Sequence, residues 1–314
     1  MEHEWGRLHD YVPLTLDEIS ERLARAMLPP PSSATLLTSG KANTNYRVVL
    51  DDGRAVVLRL HTRDASGAAR EAAIARRLAG VVPVPQYLYV SPDEPWSIQE
   101  WIEGEPLTNV LDRDEAVDCE PIGAALAAIG TVRFAEPGFL DSDLNVVEPL
   151  GGLFHGYVRY LHELLRDPLV VARLGPDLAA SGAMWVAKRS SLLKPVAHRV
   201  ALTHSDFKPS NLLMRDGRLV GVVDWEFADA GYPLLDIGMF FRDPRLARPP
   251  GPQDFARGFT NGGGFLPPHW LTAAHLLDLL SMCQFLARPD ASDGLIASCV
   301  AQAAFYVSEA TVGL

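Results

Sequence analysis

Cysteine is scarce in this sequence. Cys119, Cys283 and Cys299 are three in 314 residues, an odd number and widely spread. That excludes a disulfide framework, and with no CxxC pair or Cys/His cluster it excludes a cysteine-based zinc site. The expectation is reduced thiols in a cytoplasmic protein. Basic residues are in deficit as well, with 28 Lys and Arg against 39 Asp and Glu and a formal net charge of −11. Gripping a nucleic acid backbone takes a basic face, so nucleic acid is not an expected partner. A cationic or neutral small molecule suits the charge better. Long apolar runs are missing too. No stretch reaches the roughly 18 residues of a membrane helix. "LTAAHLLDLL" (271–280) is interrupted by His275 and Asp278 and reads as a helix facing a core. The first ten residues, "MEHEWGRLHD", carry charges where a signal peptide has its apolar stretch. No membrane partner is expected, and the sequence carries no signature of oligomeric state.

What the chain does contain is a core. Hydrophobic residues make up 48% of it, enough for one large domain or two lobes. Thr15 and Glu18 have the spacing of a capping box, and Leu16, Ile19, Leu23 and Met27 recur at helical intervals. "PPPSS" (29–33) ends that helix. "ATLLTSG" (34–40), "NYRVVL" (45–50) and "AVVLRL" (55–60) read as strands, the last two joined by the hairpin signal Asp52-Gly53. An Ala/Arg/Glu-rich stretch from Ala65 to Leu78 reads as a helix, and "QYLYV" (86–90) and "WSIQEWI" (96–102) as two more strands. Three strands, a helix and two strands fit a small antiparallel sheet with one packed helix. Beyond "EGEP" (103–106) the pattern is mostly helical over 107–200 and 253–312. A boundary is expected near Ile102–Gly104, giving lobes of 1–102 and 103–314.

One segment interrupts the helical half. "LTHSDFKPSNLLMRDGRLVGVVDWEF" (202–227) places four carboxylates, an amide, a lysine and a histidine between short apolar strings. "VAL" (200–202) reads as a strand, "THSDFKPSN" as a loop, and "LLM" and "LVGVV" as a hairpin turned at Asp216-Gly217. That hairpin brings Asn211 and Asp224 to one end, with Asp206 on the loop before it. The set has a chemical logic. A carboxylate can orient an attacking hydroxyl and accept its proton. An amide oxygen and a second carboxylate can hold Mg²⁺, which prefers hard oxygen ligands and clamps a nucleotide's phosphates.

"HSDFKPSN…VVDWEFADAGYPLLD" resembles the signature of the aminoglycoside phosphotransferase and choline kinase superfamily, small-molecule kinases distantly related to protein kinases. The resemblance spans roughly 34–245 and is most specific over 204–236. It implies an α+β, bilobal, protein-kinase-like fold, with a small antiparallel-sheet N-lobe and a larger, mostly helical C-lobe carrying a catalytic hairpin. It implies ATP as phosphoryl donor, Mg²⁺ as cofactor and a small-molecule hydroxyl as acceptor. Asp206 would be the catalytic base, Asn211 and Asp224 the magnesium ligands, His204 a support of the loop and Asp236 its brace. Lys208 would contact phosphate or be solvated. Glu226, in a "DWE" that replaces the protein kinase "DFG", would be structural rather than metal-bound, or would tune the site.

The same resemblance assigns the N-terminal half to nucleotide. "SGKANTNYRVVL" would cover the phosphates, with Gly40 and Asn43 as contacts, although protein kinases carry three glycines there. Arg59 stands on the strand where protein kinases have lysine. It can grip phosphate oxygens in two-pronged fashion, with Glu71 on the next helix as its ion-pair partner. Gln99 would take the gatekeeper place, and the Glu100 carbonyl and Ile102 amide would bond the adenine edge.

Three other readings compete. A catalytically silent nucleotide-binding protein would often have lost one of Asp206, Asn211 and Asp224. A two-metal hydrolase would need histidine and carboxylate clusters that are absent, and it leaves the N-terminal lobe unexplained. A protein kinase would show DFG and an APE-like segment. The acceptor has no signature. In "LFHGYVRYLHELL" (153–165), Leu153, Tyr157, Leu161, Leu164 and Leu165 form a core stripe, and His155, Arg159, His162 and Glu163 read as ordinary polar side chains.

Overall fold

The computed structural model describes residues 10–38, 43–62, 64 and 66–309. The first helix, α1 (Leu16–Arg25), starts at the capping box. The Glu18 amide donates to Thr15 Oγ1 at 3.2 Å and the Thr15 amide to Glu18 Oε2 at 2.7 Å. Only part of the expected stripe is buried. Ile19 and Leu23 face the core, while Leu16 is 47% exposed and Met27, beyond the helix end at φ +57°, is 92% exposed.

β1 (Pro31–Leu37), β2 (Thr44–Leu50), β3 (Ala55–Leu60), β4 (Tyr87–Val90) and β5 (Trp96–Glu100) form one antiparallel sheet in the order β1-β2-β3-β5-β4. Asp52-Gly53 turns β2 into β3, with Gly53 at φ +85°, which costs a glycine nothing. Strand alternation sorts the side chains. Tyr46, Val48, Leu50, Val56, Leu58, Leu60, Trp96 and Ile98 pack with Ile19 and Leu23 of α1 into one small core. Arg59 alternates onto the other face, in register with Asn45 and Ser97. Helix α2 (Gly67–Leu78) follows β3, yet Ile74, Ala75 and Leu78 belong to the second, larger core.

After β5 the chain forms β6 (Glu105–Pro106), α3 (Leu107–Asp112) and α4 (Glu120–Ile129), then a hairpin of β7 (Gly138–Leu140) and β8 (Val146–Pro149). A π-helical turn, Leu153–Val158, leads into α5 (Arg159–Leu164), α6 (Pro168–Leu174) and α7 (Pro176–Arg189). Next come β9 (Ala201–Thr203), β10 (Leu212–Arg215), β11 (Arg218–Val222) and β12 (Asp229–Gly231). Four helices close the chain: α8 (Pro233–Phe240), α9 (Gly251–Asn261), α10 (Trp270–Leu286) and α11 (Asp293–Glu309). The stripe Leu153, Tyr157, Leu161, Leu164 and Leu165 is buried as expected, and so are His275 and Asp278 on α10. Backbones approach closely where α4 meets α9. A Cβ on Gly258 would lie 1.9 Å from the Glu120 carbonyl oxygen, and one on Gly123 would lie 2.2 Å from that of Phe255.

The hairpin of β7 and β8 departs from the helical reading of 107–200, and β6 and β12, outside that span, had no strand signal either. β6 pairs with β10 beside β11, and β7 pairs with β12, which pairs with β9 in a sheet ordered β8-β7-β12-β9. Strands of two to four residues are too short to show a period of two, and their partners lie far away in sequence.

Candidate active site

Two loops meet at the C-terminal end of β9 and β11. The first begins with His204, which is fully buried. Its amide donates to Asp236 Oδ2 and that of Ser205 to Asp236 Oδ1, both at 2.8 Å. Asp236 thus braces the loop from the first turn of α8. Burial pushes its carboxyl up to about 8, against the two amides, which favour the ionised form. The His204 ring reaches the second loop, with Nε2 3.0 Å from the Val223 carbonyl and the ring 4.5 Å from that of Trp225. Burial pushes His204 down to about 4. It is therefore neutral near pH 7, with Nε2–H donating to Val223.

Asp206, Lys208 and Asn211 lie together. Lys208 Nζ is 3.0 Å from Asp206 Oδ2, and Asn211 Nδ2 donates to that oxygen and to the Asp206 carbonyl, each at 2.9 Å. A carboxylate can only accept, so this contact fixes the Asn211 amide with its nitrogen on Asp206 and its oxygen on the other side. The Val223 amide donates to the Asn211 carbonyl at 3.0 Å, which seats Asp224 beside Asn211. Asp224 adopts φ +67° and Ser205 φ +59°, a left-handed conformation uncommon for residues other than glycine. One outlier is a carboxylate of the site and the other precedes Asp206, and strain of this kind clusters at functional sites.

Arg59 comes down from β3 and is 4% exposed. Its Nη2 is 2.7 Å from Asp224 Oδ1 and 3.5 Å from Glu71 Oε1. Burial alone would lower the guanidinium, but Glu71 and Asp224 outweigh it and hold Arg59 charged. Burial would likewise raise Asp224, and Arg59 keeps it below the ordinary carboxylate range. Glu71, 2% exposed, is raised by burial in spite of Arg59. It also accepts the Tyr87 hydroxyl at 2.7 Å.

Of the other expected nucleotide contacts, Gly40 lies outside the described residues. Gln99 stands between Val57 and Tyr87 in register, on the sheet face that carries Arg59. The Glu100 amide donates to the Gln86 carbonyl at 2.9 Å. Ile102 lies against Gly221 of β11, where a Cβ would come 3.1 Å from Ile102 Cδ1. Asn43 is buried, and its amide is used within the protein. Oδ1 accepts the Thr62 amide at 3.0 Å and Nδ2 donates to Glu226 Oε2 at 3.1 Å.

Several participants had no signal in the sequence. His61 sits 3.7 Å from Glu71 and 2.9 Å from Ser97 Oγ, held neutral because burial and then Arg59 push it down to about 3. Asp229 accepts from the hydroxyls of Thr203 and Ser205 behind the first loop, and burial lifts it to about 6. Arg70, one residue before Glu71, donates to Asp64 and to the Glu226 carbonyl, both at 3.1 Å.

The profile of the phosphotransferase enzyme family matches residues 33–276. The chain belongs to that family. No curated protein matches this phosphotransferase family member. Solved structures do. Aminoglycoside phosphotransferase APH(4)-Ia superposes with a TM-score of 0.65 at 19% identity, over 94% of this chain and 99% of the other. Macrolide 2'-phosphotransferase MphH from Brachybacterium faecium gives 0.64 at 19% identity, over 91% and 97%. APH(2")-IIa, in a ternary complex with streptomycin and ATP, gives 0.60 at 17% identity, over 94% and 97%. At these identities the likeness is one of fold: an antiparallel-sheet lobe and a helical lobe in a kinase-like arrangement. Among the described residues, no helix is long and apolar enough to cross a membrane.

Proposed function

We propose that this phosphotransferase moves the terminal phosphoryl group of ATP to a hydroxyl of a small molecule, with Mg²⁺ as cofactor. The observation that carries the reading is the meeting of Arg59 with Asp224 at 2.7 Å, beside Asn211 and the Asp206 loop. It joins a cation suited to phosphate to oxygen ligands suited to a hard metal, next to a carboxylate suited to take a proton. The nucleotide-bound relatives support it, among them a thermostable APH(4)-Ia variant in a ternary complex with ADP and hygromycin B.

The residues fit magnesium. Asn211 has its nitrogen committed to Asp206 and so offers its oxygen. Asp224 is ionised and its side chain is 32% exposed. These two would hold the ion, which when bound neutralises charge on the phosphates. The nucleotide would lie between lobes of 1–102 and 103–314, its base near Gln99, Glu100 and Ile102. Arg59 binds phosphate oxygens, and Glu71 holds the guanidinium in place. Asp206 orients the acceptor hydroxyl and takes its proton. The acceptor oxygen bonds to the γ-phosphorus, the bond from that phosphorus to the bridging oxygen breaks, and ADP leaves. Lys208 and Asn211 fix the Asp206 carboxylate for this task.

Thermal denaturation with and without Mg·ATP tests the reading. Nucleotide at about a hundred times its dissociation constant adds roughly 2.7 kcal/mol of stability. No shift at millimolar nucleotide with Mg²⁺ or Mn²⁺ overturns it. ADP release over a panel of hydroxyl-bearing antibiotics and metabolites then finds the acceptor.

A further inference from the structure

We infer that Glu226 and Asn43 are a pair of positioning residues that set the metal-binding segment against the sheet, and that neither acts by touching nucleotide or metal. The inference rests on the magnesium and ATP reading above. Three contacts from the N-terminal half converge on the tripeptide Asp224-Trp225-Glu226. Arg59 of β3 meets the Asp224 carboxylate at 2.7 Å. Asn43, the residue before β2, donates to the Glu226 carboxylate at 3.1 Å. Arg70 of α2 donates to the Glu226 carbonyl at 3.1 Å. The partners lie 165, 183 and 156 positions apart in sequence.

The first contact has to share Asp224 with a metal. The other two do not, and they hold the segment from its far end. Asn43 suits this role because its amide has two ends. Its oxygen is fixed by the amide of Thr62, just beyond β3, and its nitrogen by Glu226, so one 5%-exposed side chain ties the segment leaving β3 to the one that carries the metal ligand. Trp225, between the two acids, is 3% exposed and donates Nε1 to the Val222 carbonyl at 3.0 Å. The tripeptide is therefore short and stiff, and a shift of Glu226 is passed on to Asp224. Outer partners that orient metal ligands typically carry 10–100-fold in metal affinity.

The test is the dissociation constant of ATP by calorimetry, with Mg²⁺ and with EDTA, for wild type, Glu226→Ala, Glu226→Gln, Asn43→Ala and the double variant Asn43→Ala/Glu226→Ala. Glutamine keeps an acceptor for the Asn43 amide but loses the charge. The expected result is about a tenfold or greater weakening with Mg²⁺ for Glu226→Ala and for Asn43→Ala. The double variant should be no worse than either single one, and Glu226→Gln should stay near wild type, with metal-free affinity unchanged throughout. A Glu226→Gln variant as weak as Glu226→Ala makes the charge essential and overturns the pairing. Additive losses, or an unaffected Glu226→Ala, overturn it as well. Failure of wild type to bind ATP at all would instead remove the functional reading. Should the alanine variants not fold, Glu226→Gln and Asn43→Ser still decide between charge and hydrogen bonding.

Discussion

Arg59 Nη2 lies 2.7 Å from Asp224 Oδ1, so the cation of the sheet and the anion that follows β11 neutralise each other directly. Arg59 forms ion pairs with both Glu71 and Asp224. Removing it leaves the 2%-exposed Glu71 beside a neutral His61. Breaking a buried pair by deleting one partner costs about 3–5 kcal/mol. Arg59→Ala should sit near the lower end, about 3 kcal/mol, because Asp224 keeps contact with water. Urea denaturation checks this. Arg59→Lys should recover most of the stability but not the two-pronged grip, giving a weaker ATP affinity in a folded protein.

Asp206 and Asp224 should fail differently. Asp206→Asn keeps nucleotide and metal binding and slows transfer by about 10²–10⁴. Asp224→Asn removes an anionic oxygen from a hard cation, so its turnover should rise with Mg²⁺ beyond the concentration that saturates wild type. Turnover against Mg²⁺ for both variants, with an acceptor in hand, separates the roles. Identical magnesium curves for both would undo the assignment.

Stability should pass through a maximum in pH. His61, His204 and His275 are pushed by burial down to about 3, 4 and 4. In the unfolded chain they titrate near about 6.5, so their contribution is present above that value and is lost as pH falls. Asp229 and Asp236 are pushed by burial up to about 6 and about 8. Against an unfolded value near about 3.9, their contribution is full in acid and is lost as pH rises through those values. From about 4 to 6.5 three histidines outweigh two aspartates and stability rises, while Glu71, raised by burial, and His162, lowered by burial, act in opposite senses. From about 6.5 to 8 the histidine contribution is complete, Asp236 titrates and stability falls. The urea midpoint between pH 4.5 and 8.5 reports this. Asp229→Asn should steepen the rise on the acid side, since the neighbouring hydroxyls can rotate to serve an amide.

Gly258→Ala should destabilise by about 1–3 kcal/mol or more, because a methyl group there meets the Glu120 carbonyl where α4 and α9 cross. The measurement is the denaturation midpoint. A variant as stable as wild type would mean that the two helices can move apart without loss.

The central site was readable because most of it is local. Asp206, Asn211 and Asp224 lie within one strand–loop–hairpin unit, and Asp216-Gly217 fixes where that hairpin turns. Asp52-Gly53 did the same for Arg59, since a set turn sets which side chains share a face. What the sequence did not disclose joins distant segments. Asn43 reads as a phosphate contact from its place after Gly40 in the loop, and nothing in the sequence discloses that its amide reaches Thr62 and Glu226. His61, Tyr87 and Asp229 each look ordinary until the fold surrounds them. The strands β6, β7 and β12 exist by pairing rather than by pattern, and no local propensity marks three residues such as Asp229–Gly231.

Helix α2 packs on β4 of the sheet, but its apolar side is also buried with the other half of the molecule: Ile74, Ala75 and Leu78 share a core with Leu107, Ile122 and Leu212. This bears on how the chain is made. On the ribosome, α1 and the five strands can close their own small core once residue 100 has emerged. The apolar side of α2 must then wait, partly open to water and to chaperones, for segments synthesised later, from Leu107 through Ile122 to Leu212. The helix that carries Glu71 to Arg59 is early in translation and late in folding.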